Sequence, residues 1–212
     1  LGAHAIPPEF KDDADGYVRF LTRKALPAIF GFWAEHGGER SLPFVDVFCE
    51  TGAFDLEQSR TILQAAKELG FPLKVHSDEF DNLGGTSLAV EMGAVSVDHL
   101  VATSDEEIAA LGGSETVAVS LPCTPFGLAE SEYTPAKKIL DAGGYLAIAT
   151  DLNPGTAWCE TMQFAQALAC RYLKLTPAQA ISASTINSAK AVGLEQYVGS
   201  IESGKQADML MM

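Results

Sequence analysis

Leu73-Lys74-Val75-His76-Ser77-Asp78-Glu79-Phe80 decides the fold: a run of strand length with alternating polarity ends on a histidine, and carboxylates follow two and three positions later. Working outward, the phrase recurs. Phe44 to Phe48 runs into Glu50, Val95 to His99 ends on its own histidine, Val117 to Leu121 is almost wholly apolar, and Leu146 to Thr150 is followed at once by Asp151. Leu1 to His4 reads as the tail of another strand, for about six in all. Helices are expected between them. Asp55 with Gln58 and Ser104 with Glu107 have capping-box spacing, and Thr134 precedes Pro135 at a first turn. Thr161 to Leu173, and Pro177 to about Val192 after a fresh start at Thr176, have helical periodicity throughout.

Strands alternating with helices imply a parallel sheet covered on both faces, either doubly wound or closed as a (β/α)8 barrel of the TIM type. A nucleotide-binding doubly wound sheet wants a glycine-rich loop after its first strand, and neither Gly84-Gly85 nor Gly112-Gly113 has that spacing. His4, Glu50, His76 with Asp78 and Glu79, His99 and Asp151 all fall at or just past strand ends, which in a barrel ring one pocket. The reading is α/β, with a barrel.

Composition narrows the function. Asp and Glu number 28 against 14 Lys and Arg, a balance that repels a phosphate backbone, so nucleic acid is not an expected partner. The 4 cysteines, Cys49, Cys123, Cys159 and Cys170, form no Cys-x-x-Cys pair and fit reduced thiols in a cytoplasmic protein. No apolar run approaches the roughly 20 residues of a membrane helix, and the start lacks a signal-peptide pattern, so no membrane partner is expected either. A small-molecule substrate remains, with a homodimer among the assemblies allowed.

Taken singly, the polar residues are ambiguous. His76 suits a metal ligand or a proton shuttle, and equally a core histidine hydrogen-bonded to Asp78. His99 could be a satisfied half-buried side chain. Asp151, after a strand apolar enough to be buried, is either an N-cap or a carboxylate paired with a cation. Together, two histidines and an aspartate on three strand ends offer ligands and a base for hydrolysis at Zn2+ or iron.

The phrases Gly2-Ala3-His4-Ala5-Ile6-Pro7-Pro8, His76-Ser77-Asp78-Glu79-Phe80, Leu83-Gly84-Gly85, Asp98-His99-Leu100 and Ala149-Thr150-Asp151-Leu152-Asn153-Pro154-Gly155-Thr156 resemble, in order, those of the imidazolonepropionase family of metal-dependent amidohydrolases. Gly204-Lys205-Gln206-Ala207-Asp208 is similar to the point where such enzymes leave the barrel for a small β-sandwich. The resemblance implies an incomplete barrel over residues 1–198, about six of eight strands, with 199–212 beginning the return segment. It implies one metal ion, Zn2+ or Fe2+/Fe3+, held by His76 and Asp151. It further implies catalytic roles for His99, Glu79 and Asp151, and substrate contacts from His4, Glu79, Asn153, Gly155 and Thr156. The implied reaction opens 4-imidazolone-5-propanoate with water to N-formimino-L-glutamate. Ser77 and Cys123 stand where the family usually has alanine and glycine.

An absence accompanies the match. The family's His-x-His on the first barrel strand is missing from a chain whose only histidines are His4, His36, His76 and His99. Arg19, Arg23, Arg40, Arg60 and Arg171 all lie away from strand ends, so the cradle for the propanoate is expected elsewhere. Two other readings stay open: a related cyclic amidase or deaminase, and a catalytically silent piece of a larger barrel.

Overall fold

Side-chain alternation sorts each strand onto two faces, and that sorting builds the molecule. The computed structural model describes residues 2–211. Five strands, β1 (Val45–Cys49), β2 (Leu73–Ser77), β3 (Ser96–His99), β4 (Val117–Ser120) and β5 (Leu146–Ile148), form one sheet in the order β1-β2-β3-β4-β5. Every pair is parallel. Strand order that advances without reversal has no switch point and is that of a barrel segment, not of a doubly wound sheet. The register sets Phe48 beside His76 and Ser77 beside His99, so the C-terminal ends align.

The segment expected as a sixth strand differs. Leu1 lies outside the described residues, and Gly2 to His4 form a turn and bend. Its Ala3 carbonyl still accepts from the Phe48 N–H at 2.9 Å, which lays the segment along the end of β1.

One face of the sheet is apolar. Val47, Cys49, Val75, Val97 and Ile148 are buried in a single core with Ile62, Leu63, Leu88 and Ile108 from the covering helices α3 (Leu56–Glu68), α4 (Gly85–Met92) and α5 (Asp105–Gly112). Two further helices, α1 (Ala14–Phe20) and α2 (Leu26–His36), joined by a π-helical turn, precede the sheet. Between β4 and β5 lie α6 (Cys123–Gly127) and α7 (Ala136–Asp141), and α8 (Met162–Arg171) follows. The expected capping boxes form at Asp55/Gln58 and Ser104/Glu107. Gly84 and Gly85 have separate reasons: Gly84 turns the chain at φ +88°, and a Cβ on Gly85 would meet the Ser77 hydroxyl at 2.5 Å.

The stretch from 177 to 192 is not one helix. It breaks at Thr185 (φ −124°, ψ −93°) into α9 (Pro177–Ser184) and α10 (Ile186–Ala191). The Ser184 and Thr185 hydroxyls both donate to the Ile181 carbonyl, and the Ser188 hydroxyl to that of Ala183, so side chains compete for the acceptors of the last turn. The break lets Asn187 and Ser188 donate to the Leu146 and Ile148 carbonyls of edge strand β5. Residues 205–211 carry neither helix nor strand.

Glu107 ties these parts together. Its buried carboxylate accepts from the Ser104 N–H (3.1 Å), the Ser87 N–H (3.2 Å) and the Asn82 amide, joining the cap of α5 to α4 and to the loop after β2. Glu107→Ala removes a cap and orphans several donors, so a loss of about 2–4 kcal/mol is expected in denaturant unfolding, with Glu107→Gln intermediate. A change below about 0.5 kcal/mol, the size of an ordinary surface substitution, would contradict this role.

Candidate functional site

The second face of the sheet is where polarity collects. Asp46, Phe48, Lys74, His76, Ser96 and Asp98 alternate with the core positions of β1 to β3, whereas β4 and β5 line the same face with Val117, Val119 and Ala147. Low on this face, Lys74 lies 3.5 Å from Asp98 and also bonds Ser96, whose hydroxyl donates to Asp98 at 2.7 Å. Burial pushes the Asp98 carboxyl up, with the Lys74 charge opposing.

At the C-terminal ends three histidines converge. The His76 ring is 5.3 Å from that of His99 and 5.9 Å from that of His4, and His4 stacks on Phe48 at 5.1 Å. His76 does not pair with Asp78. Its Nδ1 lies 3.0 and 2.9 Å from the two carboxylate oxygens of Asp46. Burial works against a charged His76, but the hydrogen bond and charge of Asp46, joined by the charges of Asp98 and Asp151, raise its pKa to about 9. Asp78 turns away at φ +56° and accepts from the hydroxyls of Ser77 (2.8 Å), Thr86 (2.7 Å) and Thr103 (2.6 Å).

Glu79 and His99 face each other with Oε2 to Nε2 at 3.5 Å, His99 being 4% exposed. They do not form an ion pair. Burial, helped by the charges of His76 and His4, drives His99 down to about 3, so it is neutral near pH 7. Burial, then the charge of Asp151, pushes Glu79 up to about 7 against the pull of His76. A carboxyl poised near neutrality beside a neutral imidazole is suited to moving protons in either direction. With Phe80, Thr124, Pro125 and Leu128 the two line a cavity of about 310 Å3, whose mouth carries Glu130 and Glu132.

The backbone is held for this purpose. Buried Glu50 accepts from the N–H groups of Thr51 (2.9 Å), Phe80 (3.1 Å) and Asp81 (3.1 Å), which pins the loop carrying Glu79. His99 sits at φ +83°, its carbonyl held by the Thr134 hydroxyl at 2.7 Å. Asp151, at φ +55°, accepts from the Thr124 hydroxyl at 2.6 Å. Asn153 shapes the next loop from within: its Oδ1 accepts from the Gly155 and Thr156 N–H groups, and its amide donates to the Asp151 carbonyl and the Thr156 hydroxyl. The Asn153 amide is thus engaged by its own loop, with Gly155 and Thr156 as its partners.

The donors fit part of a divalent-metal site. Among the described residues Nε2 of His76 makes no hydrogen bond, and the charge of the Asp151 carboxylate acts on both His76 and Glu79. Among the described residues, no group of three or more His, Cys, Asp or Glu side chains is placed to hold an ion. Asp46, Thr124 and the Lys74–Asp98 pair were not singled out by the sequence reading. The one signal for Asp46 is its phase, two residues before Phe48 on the same face of β1.

The amidohydrolase family model matches residues 50–212. Imidazolonepropionase from Herpetosiphon aurantiacus is 53% identical over 212 residues, 100% of this chain and 50% of that protein. The imidazolonepropionase of Treponema denticola is 46% identical over 100% of this chain and 49% of its own length. The chain thus spans about half the length of the curated relatives it matches. Among solved structures, an adenosine deaminase from Xanthomonas campestris with bound zinc superposes with a TM-score of 0.71 at 22% identity, over 85% of this chain and 46% of that one. A guanine deaminase from C. acetobutylicum with bound guanine gives 0.63 at 17% identity, over 86% of this chain and 49% of that one. At such identities these two speak for the fold.

Glu79 offers a direct check on the electrostatics. Its folded pKa of about 7 exceeds the ordinary 4.5, so the fold favours the protonated form. That contribution is fully present below about pH 4.5 and is lost as pH rises through about 7. Unfolding of the metal-free full-length protein at pH 5 and pH 9 should therefore show Glu79→Gln gaining on the parent at the higher pH, by about 1–2 kcal/mol after solvent screening. An equal difference at both pH values would contradict the shift.

Proposed function

The chain belongs to the amidohydrolase family, and from that premise we propose that the full-length protein hydrolyses the cyclic amide of 4-imidazolone-5-propanoate to N-formimino-L-glutamate, a step of histidine degradation. The observation that carries the reading is the facing of Glu79 and His99 in a cavity whose lining residues His99 and Thr124 in turn contact His76 and Asp151. Identities of 53% and 46% to imidazolonepropionases across the whole chain support the choice of substrate.

In this proposal His76 and Asp151 hold one divalent ion, zinc or iron. When bound, the ion supplies Lewis acidity and an activated water. The remaining donors, and the cradle for the propanoate, would come from the part of the full-length protein that this chain does not span. Glu130 and Glu132 at the cavity mouth repel an anion, which favours a pose with the propanoate pointing away from them.

The chain's own side chains divide the remaining work. His4, stacked on Phe48 and exposed, presents a flat face to the substrate ring. Asp151, steadied by Thr124, accepts a proton from the attacking water. Glu79, whose burial favours the protonated form, donates its proton to the departing ring nitrogen and is left as a carboxylate, and the neutral His99 beside it relays a proton from solvent back to that carboxylate. The loop braced by Asn153 brings Gly155 and Thr156 to the rim, where they border the substrate. Residues 199–212 lead out of the barrel toward a small β-sandwich.

The proposal separates proton carriers from metal ligands. In the full-length protein, Glu79→Gln and His99→Asn should lower turnover of the imidazolone by about 10²–10⁴-fold with metal content near that of the parent. His76→Ala and Asp151→Asn should lose metal and activity together. Turnover of a purine in place of the imidazolone would move the reading to a deaminase. Loss of metal on changing Glu79 or His99 would reverse the assignments.

A further inference from the structure

We propose that Asp46 is a positioning residue that fixes the proton of His76 on Nδ1 and so aims Nε2 at the cation of the site. The inference rests on the metal reading above and adds to it the residue that orients the ligand.

The geometry is specific to one pair. Asp46 lies on β1 two residues before Phe48, the register partner of His76, so the two side chains meet across the strand pair on the same face. Both Asp46 oxygens straddle Nδ1, at 3.0 and 2.9 Å. A carboxylate can only accept, so the proton resides on Nδ1. Nε2 is then the nitrogen that gives up its proton when a cation binds. The ring has little freedom to turn, with Phe48 and His4 edge-on at 6.0 and 5.9 Å and His99 at 5.3 Å.

Neighbouring carboxylates cannot substitute. Asp78 is engaged by three hydroxyls, and Asp98 by Lys74 and Ser96. His99, which the proposed chemistry uses for protons, has among the described residues the carboxylate of Glu79 opposite, at 3.5 Å and on Nε2. An imidazole whose far nitrogen is held by a carboxylate is fixed in tautomer and direction and is a better ligand for it. The contrast between His76 and His99 thus distinguishes a ligand from a shuttle by what each ring leans on.

The test uses the full-length protein and zinc as the probe. Zinc affinity by chelator competition should fall about 10–100-fold in Asp46→Ala. Asp46→Asn, whose amide oxygen can still accept from Nδ1–H, should lose less affinity, and its metal-free melting temperature should fall less than that of Asp46→Ala. His76→Ala should show the largest loss of affinity. Long-range 1H–15N spectra of the zinc-loaded parent should show His76 protonated at Nδ1 and coordinated through Nε2. Parent-like zinc affinity in Asp46→Ala, with His76→Ala impaired, would overturn the role of Asp46 alone. Coordination through Nδ1 would do the same. Parent-like affinity in His76→Ala would instead remove the metal reading, and this inference with it.

Discussion

Everything at the site depends on a parallel register that advances strand by strand without reversal. Because period-two alternation is strict, placing Phe48 beside His76 also places Asp46, His76 and Asp98 on one face and Val47, Val75 and Val97 on the other. A slip of one residue in β2 would send His76 into the helix-covered core and Val75 into the pocket. Hydrophobic burial against α3, α4 and α5 excludes that slip, so the packing that stabilises the fold also sets which way Asp46, His76 and Asp98 point.

The strand ends carry strain, and each strained residue is restrained. Asp78, His99, Leu100 and Asp151 adopt left-handed backbone at the ends of β2, β3 and β5, a conformation that costs a non-glycine residue on the order of 1 kcal/mol. Three hydroxyls fix Asp78, Thr134 holds the His99 carbonyl, the Leu100 N–H donates to the Ser77 carbonyl, and Thr124 with Asn153 holds Asp151. The left-handed turn takes the chain sharply out of the sheet at the point where its side chain must enter the pocket. Strain collected at several strand ends on one side of a sheet is a mark of a site, whereas a structural layer would relax it.

Much of this was legible in the sequence. The five strands follow from short apolar runs, and the capping boxes at Asp55 and Ser104 are local, so spacing alone revealed them. His76, His99 and Asp151 were visible because polar side chains at the ends of apolar strands are costly unless used. What escaped the reading depends on neighbours distant in sequence. Asp46 reaches His76 across 30 residues, Thr124 reaches Asp151 across 27, and nothing local marks either pair. The break at Thr185 escaped because Ser and Thr fit a helical period while their hydroxyls compete for its acceptors. Gly2 to His4 reads as a strand tail yet turns, giving the sheet one carbonyl in place of a ladder.

The molecule is thus a five-strand arc whose C-terminal strand ends gather an imidazole held by Asp46, a carboxylate held by Thr124, and Glu79 facing His99 at 3.5 Å. The central claim is that His76 and Asp151 share one cation while His99 and Glu79 do not touch it. Anomalous diffraction at the zinc edge from crystals of the full-length protein tests this directly. The account predicts a single peak about 2.0–2.2 Å from His76 Nε2 and from an Asp151 oxygen. A peak bonded to His99 or Glu79, or one without His76, would contradict it.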